Sequence, residues 1–138
     1  MECIQINLQK ALLGMVELAR KLNGRESFLC LVQEPYQYKN ALAGIPTGCS
    51  KIPNNMCNDP PRAAIIASND LNLIQISELS NRDLAVGCIT LGDREILVVS
   101  SYMDIRNQMG GDLFGKLMQY GRDKGIKVLI GMDSNAHT

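Results

Sequence analysis

The chain of 138 residues lacks a net charge, a long apolar run, a second histidine and any internal repeat. Lys plus Arg number 14 and Asp plus Glu number 14. A formal charge of zero gives no broad electrostatic attraction for nucleic acid, so any such contact must come from local basic groups. No apolar stretch approaches the roughly 20 residues of a membrane-spanning helix. Met1 leads into Glu2 and a strand-like stretch, without the basic start and apolar core of a secretion signal. The cysteines are odd in number, at positions 3, 30, 49, 57 and 88. That count without a signal points to reduced thiols and an intracellular protein. Cys3, Cys30 and Cys88 lie in apolar runs and are expected in the core, whereas Cys49 and Cys57 are expected in a loop. Paired close spacings with a nearby histidine are missing, which argues against zinc. The composition, 46% hydrophobic and 20% charged, is that of one globular domain with a real core and not of a disordered chain.

What is present reads as alternating strand and helix. Residues 3–8 (CIQINL) alternate apolar and polar at period two, the pattern of a strand, with Asn7 near its end. Leu8, Leu12, Met15, Val16, Ala19 and Leu22 recur at helical spacing, predicting a helix over 9–22 that Asn23-Gly24 stops. The continuous run FLCLV at 28–32 is a buried strand ending at Gln33-Glu34-Pro35-Tyr36. Strand, helix and strand in this order form a βαβ unit with parallel strands. Open α/β sheets bind ligands at the C-terminal ends of such strands, which places Asn7 and Glu34 there. Residues 36–61 hold four of the five prolines and read as one long irregular stretch, either functional or a disordered excursion.

Further strands are expected at 62–68 (RAAIIAS) and 71–79, and at 84–91 and 95–102 around the hairpin signal Gly92-Asp93-Arg94. Antiparallel neighbours after a parallel unit imply a mixed sheet. Tyr102 and Asp104 close the second arm of that hairpin. Leu113, Leu117 and Met118 space a second helix over about 111–124, stopped at Gly125. The final segment, 127–138 (KVLIGMDSNAHT), begins as a buried strand. Were it to continue, period two would put Asp133, Asn135 and His137 on one face. A catalytic rim and a polar loop satisfying its own backbone are both open on spacing alone.

Carboxylates and amide oxygens at several strand tips suit a hard cation such as Mg²⁺, which keeps several waters and polarises a phosphoryl oxygen. A neighbouring carboxylate can orient or deprotonate an attacking water. An amide and a phenol can hold non-bridging phosphate oxygens. The set suits phosphate-ester hydrolysis.

The stretches INL with Asn7, LVQEPY with Glu34, RAAIIAS, VVSSYMD with Tyr102, and GMDSNAHT occur in that order. They resemble the endonuclease/exonuclease/phosphatase superfamily. The likeness is nearest to the endonuclease domains of non-LTR retrotransposons, relatives of apurinic/apyrimidinic endonucleases and pancreatic deoxyribonuclease. The resemblance implies a DNase I-like four-layer α/β sandwich with mixed sheets. It implies Glu34 as the Mg²⁺ ligand (Mn²⁺ as a substitute) with Asn7 supporting the metal site, and Tyr102 on the scissile phosphate. Asp133 would align or activate the attacking water and Asn135 would orient it. Arg62 and His137 would contact the substrate, with an ordinary strand-edge arginine as the other reading of Arg62. The implied partners are DNA and a covalently linked reverse transcriptase domain, with action in the nucleus and no membrane.

The sequence departs from that family in two places. Gln9 stands where an acid often follows the first Asn, and no Ser-Asp-His stretch is present, although the family draws an essential imidazole from it. The expectation is therefore a single domain over residues 1–138 lacking its C-terminal part, a fragment that is inactive or weak. Its second sheet is expected to be largely absent and its first sheet uncovered, leaving a marginally stable, associating chain. A phosphatase of the same superfamily and a non-catalytic binding module or remnant are the alternatives.

Overall fold

The computed structural model describes residues 1–103 and 112–132. Its strands, in chain order, are β1 (Glu2–Asn7), β2 (Phe28–Gln33), β3 (Gln37–Tyr38), β4 (Ala41–Leu42) and β5 (Cys49–Ile52), then β6 (Ala63–Ser68), β7 (Ile74–Gln75), β8 (Leu84–Leu91), β9 (Arg94–Ser101) and β10 (Lys127–Met132). Helix α1 (Leu12–Leu22) joins β1 to β2, and α2 (Asp112–Lys124) precedes β10.

Two four-stranded mixed sheets result. The first runs β1-β2-β6-β5 and the second β10-β9-β8-β7. β1 and β2 are parallel, as the βαβ reading requires, and so are β9 and β10; the other ladders are antiparallel. The side-chain period of two explains the layering. In β2, Phe28, Cys30 and Val32 meet Met15, Leu18 and Leu22 of α1, while Leu29 and Leu31 face the second sheet. β6 divides likewise, with Ala64 and Ile66 outward and Ala63, Ile65 and Ala67 inward. In the second sheet Val86, Leu97, Val99 and Val128 pack with Leu117 of α2, and Ala85, Ile89, Val98 and Leu129 face the first sheet. A strand buried on both faces must be apolar at every position, which is why FLCLV and AAIIA read as unbroken runs.

The layers are thus helix, sheet, sheet, helix, and the expected loss of the second sheet is corrected. Residues 74–132 supply four strands of it, and they cover Leu29, Leu31 and Ile65 to 1% exposure or less. Small residues let the sheets close. A Cβ added at Gly131 would lie 2.8 Å from Leu31 Cδ1 and 3.0 Å from Gln5 Cγ.

Several local expectations are also corrected. α1 starts at Leu12 and not at residue 9, because Gln9 and Lys10 take left-handed backbone at φ 53° and 60°. Residues 36–61 are not uniformly irregular. They hold the β3–β4 hairpin, turned by Lys39 and Asn40 at φ 51° and 64°, and strand β5 paired with β6. The alternation at 71–79 does not make one strand. Asn72 at φ 55° and short 3-10 turns at 69–71 and 77–79 leave only β7. Cys30 alone of the three apolar-run cysteines is buried; Cys3 is exposed on edge strand β1, Cys88 is half-buried, and Cys49 opens β5.

Truncating Leu31 to Ala should lower unfolding free energy by about 2–5 kcal/mol, because the side chain is fully enclosed between the sheets. Denaturant titration of the two proteins checks this.

Burial pushes the Cys30 thiol up to about 12. A thiol reagent at pH 8 should therefore modify exposed Cys3 in the native protein and reach Cys30 only on unfolding. The same shift works on stability. The unfolded thiol ionises near its ordinary value while the folded one stays protonated. The contribution is complete below the ordinary thiol range and is lost as pH rises toward 12. Mass mapping of labelled peptides and melts in alkaline buffer read the two effects.

Candidate active site

Strand direction decides which residues can meet. β1, β2, β9 and β10 all end, and β6 and β8 both begin, at one end of the sandwich. Register shows it: Asn7 lies beside Gln33, Gln33 beside Ala63, Leu84 beside Ser101, and Met132 beside Ser101.

A polar ladder ties the sheets together at that end. Gln33, fully buried, donates through Nε2 to Ser100 Oγ at 3.0 Å and to the Gly131 carbonyl at 3.5 Å. Its Oε1 accepts from Gln5 Nε2 at 2.7 Å, and Ser100 Oγ donates to the Val32 carbonyl at 2.7 Å. An amide enclosed between apolar layers is tolerated when all its valences are met, and here they are. Among the described residues no buried side-chain nitrogen or oxygen is left without a partner.

The chain turns sharply one residue later. Glu34 is half-buried at φ 49°; its N–H donates to the Arg62 carbonyl, and its carbonyl accepts from Lys10 N, both at 2.9 Å. Leu8 N donates to the Gln33 carbonyl at 3.0 Å, which fastens the loop after β1 to the tip of β2. Asn7 Oδ1 accepts from Gln9 N at 2.8 Å. Gln9, Lys10 and Glu34 therefore bring three left-handed non-glycine residues to adjoining tips. Strain of that kind persists only where surrounding bonds enforce it, and it gathers at functional sites.

On the other flank, Arg62 forks onto Asp83, with Nε to Oδ1 at 2.5 Å and Nη2 to Oδ2 at 2.8 Å. The same guanidinium lies 4.5 Å from the Tyr102 ring centroid. The hydrogen-bonded Asp83 carboxylate raises the Arg62 pKa above its ordinary value, so this cation is permanent. Tyr102 N donates to the Asp83 carbonyl at 2.9 Å.

The structure thus brings Asn7, Glu34, Arg62 and Tyr102 to one rim, and the last described residue of β10, Met132, arrives beside Ser101 at the same rim. Asp133, Asn135, His137 and Asp104 lie outside the described residues. Two residues at this rim went unnoticed in the sequence. Gln33 carries a legible signal: it continues the inward phase of Leu29 and Leu31, so period two places it between the sheets. Asp83 carries none, since its partner stands 21 positions away.

Among the described residues no three His, Cys, Asp or Glu side chains gather into a metal-binding group. A Mg²⁺ ion typically takes one or two carboxylates and completes its shell with water and substrate phosphate. One carboxylate, Glu34, on a strand tip adjoining that of Asn7, fits that mode of binding better than a self-sufficient protein cage.

No family model and no curated protein matches the chain. Among solved structures it is similar to the endonuclease domain of TRAS1, a telomere-specific non-LTR retrotransposon, with a TM-score of 0.69 and 27% identity. The match covers 98% of this chain and 59% of that one, so the chain spans about three fifths of its relative's length. Four layers, mixed sheets and this likeness along nearly the whole chain make it a DNase I-like α/β sandwich, similar in fold to the endonuclease domain of a non-LTR retrotransposon.

Proposed function

We propose that the chain carries the rim of a Mg²⁺-dependent DNA endonuclease that hydrolyses phosphodiester bonds, the activity that nicks target DNA ahead of reverse transcription. The observation that supports this most is the convergence of Glu34, Asn7 and Tyr102 at one end of a sandwich similar to a retrotransposon endonuclease domain. Glu34 and Asn7 would hold Mg²⁺, with Mn²⁺ as a substitute. When bound, the ion neutralises charge on the phosphoryl oxygens and the leaving oxyanion. The Tyr102 hydroxyl would donate to a non-bridging phosphate oxygen. Asp133 would take the proton of the attacking water, and Asn135 would hold that water in line with the scissile bond. His137 would sit against the substrate. The substrate is DNA in the nucleus, and a linked reverse transcriptase domain would use the nick.

The rate is expected to be low. The family takes an imidazole from a Ser-Asp-His stretch that these 138 residues do not contain, and losing a proton-transfer group typically costs about 10²–10⁴ in rate.

Supercoiled plasmid incubated with the chain and Mg²⁺ should relax to the nicked circle, chelation should stop it, and Glu34→Ala should slow it by about 100-fold or more. Nicking that survives Glu34→Ala removes this carboxylate from the site. Hydrolysis of a small phosphomonoester with no action on DNA would favour a phosphatase.

A further inference from the structure

Arg62 is an arginine of the rim, and the simplest role for it is a contact to the DNA backbone. Its surroundings assign it other work. Two of its three guanidinium nitrogens are taken by Asp83, and the group lies over the Tyr102 ring. The pair is more enclosed than a surface ion pair, with 32% of the Arg62 and 24% of the Asp83 side chain exposed. A forked guanidinium–carboxylate pair fixes orientation as well as charge, and a cation over a ring face holds that ring. The main chains of the two residues are engaged as well. Arg62 N donates to the Arg82 carbonyl at 2.6 Å, and the Arg62 carbonyl accepts from Glu34 N at 2.9 Å. Asp83 N donates to Asn81 Oδ1 at 2.8 Å, and the Asp83 carbonyl accepts from Tyr102 N at 2.9 Å.

The ion pair therefore stands between the two halves of the site. One partner's carbonyl anchors Glu34 at the end of the first sheet, and the other's anchors Tyr102 at the end of the second. Tyr102 is held twice, at its main chain by Asp83 and at its ring by Arg62. Ser101 Oγ, one residue before it, donates to the Met103 carbonyl at 2.6 Å, which closes the turn beyond the ring.

We propose that Arg62 and Asp83 act as a positioning strut that fixes the Tyr102 phenol relative to Glu34, and that Arg62 is not a DNA-backbone contact. The catalytic half of this inference rests on the endonuclease reading; the geometric half does not. Displacing a positioned group by about 1 Å can cost about 100-fold in rate, so a strut is visible in turnover. Lysine cannot replace arginine here, because it offers neither the fork nor the flat stacking surface.

Four variants, Arg62→Lys, Arg62→Met, Asp83→Asn and Tyr102→Phe, should be compared by plasmid nicking, by duplex-DNA binding against salt, and by the Tyr102 ring resonances in aromatic NMR spectra. The strut predicts that Arg62→Lys and Asp83→Asn both lower kcat by about 10- to 100-fold with little change in KM. Adding either to Tyr102→Phe should cost little more. Both should shift the Tyr102 ring signals, while the salt dependence of binding stays as in the parent. The proposal is overturned if Arg62→Lys keeps full activity while Arg62→Met lowers the salt slope by about one, the mark of a lost phosphate contact. Unmoved Tyr102 resonances in Asp83→Asn also overturn it. Loss of ring order in a protein that nicks no DNA, with or without substitutions, would sink the endonuclease reading and leave the geometric strut standing. Thermal melts identify any variant that fails to fold, and Arg62→Lys, which retains the charge and most of the volume, then carries the decision.

Discussion

One buried amide sets the frame for everything at the rim. Gln33 sits between two apolar sheets and bonds to Gln5 on its own sheet and to Ser100 and Gly131 on the other. A hydrogen bond of this kind contributes only about 1 kcal/mol net, but leaving such a group unpaired costs about 1–3 kcal/mol. The asymmetry makes the ladder a constraint on register. A slip of either sheet would strand Gln33 among leucines and valines, so the tips of β2, β9 and β10 are held at one level. Gly131 belongs to the same constraint, because any side chain there would push Leu31 and Gln5 away and open the gap the amide spans.

From that fixed level the candidate site side chains are set by backbone geometry. Glu34 follows Gln33 directly, and its left-handed backbone turns the chain out of the sheet within one residue. The carbonyls of Glu34 and Gln33 catch the loop after β1 and so hold the stretch that follows Asn7. On the facing sheet Tyr102 leaves β9 under the control of Asp83 and Arg62. A rim built this way is held by backbone hydrogen bonds from both sheets. Overall charge is neutral, so any affinity for a polyanion has to come from a few placed groups instead of a broad basic field.

The features legible in the sequence were those that local burial dictates. FLCLV and AAIIAS announce themselves because both faces of β2 and β6 are covered, and the 84–101 hairpin because Gly92-Asp93 interrupts two such runs. Asn7, Glu34, Arg62 and Tyr102 could be singled out because each stands at or beside the end of such a run. Less was visible where tertiary contacts override local pattern. The start of α1 moved because Gln9 and Lys10 adopt a conformation usually left to glycine or asparagine. Cys3 lies in an apolar run yet is exposed, since β1 is an edge strand with only one neighbour in its sheet. The second sheet is masked in the sequence because the family resemblance turns on a missing Ser-Asp-His stretch, whereas the strands of that sheet, β7 to β10, precede the point where the stretch would stand. The Arg62–Asp83 pair joins residues with no shared periodicity, so only folding brings them together.

The proposed activity requires separate strand ends to deliver oxygen donors to one rim able to hold a divalent cation against a phosphodiester. Crystals of the chain soaked in Mn²⁺ and measured at the manganese edge test it most directly. An anomalous peak is expected about 2.1 Å from a Glu34 carboxylate oxygen, on the side of Asn7, and should be lost in Glu34→Gln. Saturating Mn²⁺ with no peak at Glu34, or with an ordered site elsewhere on the sandwich, would contradict it.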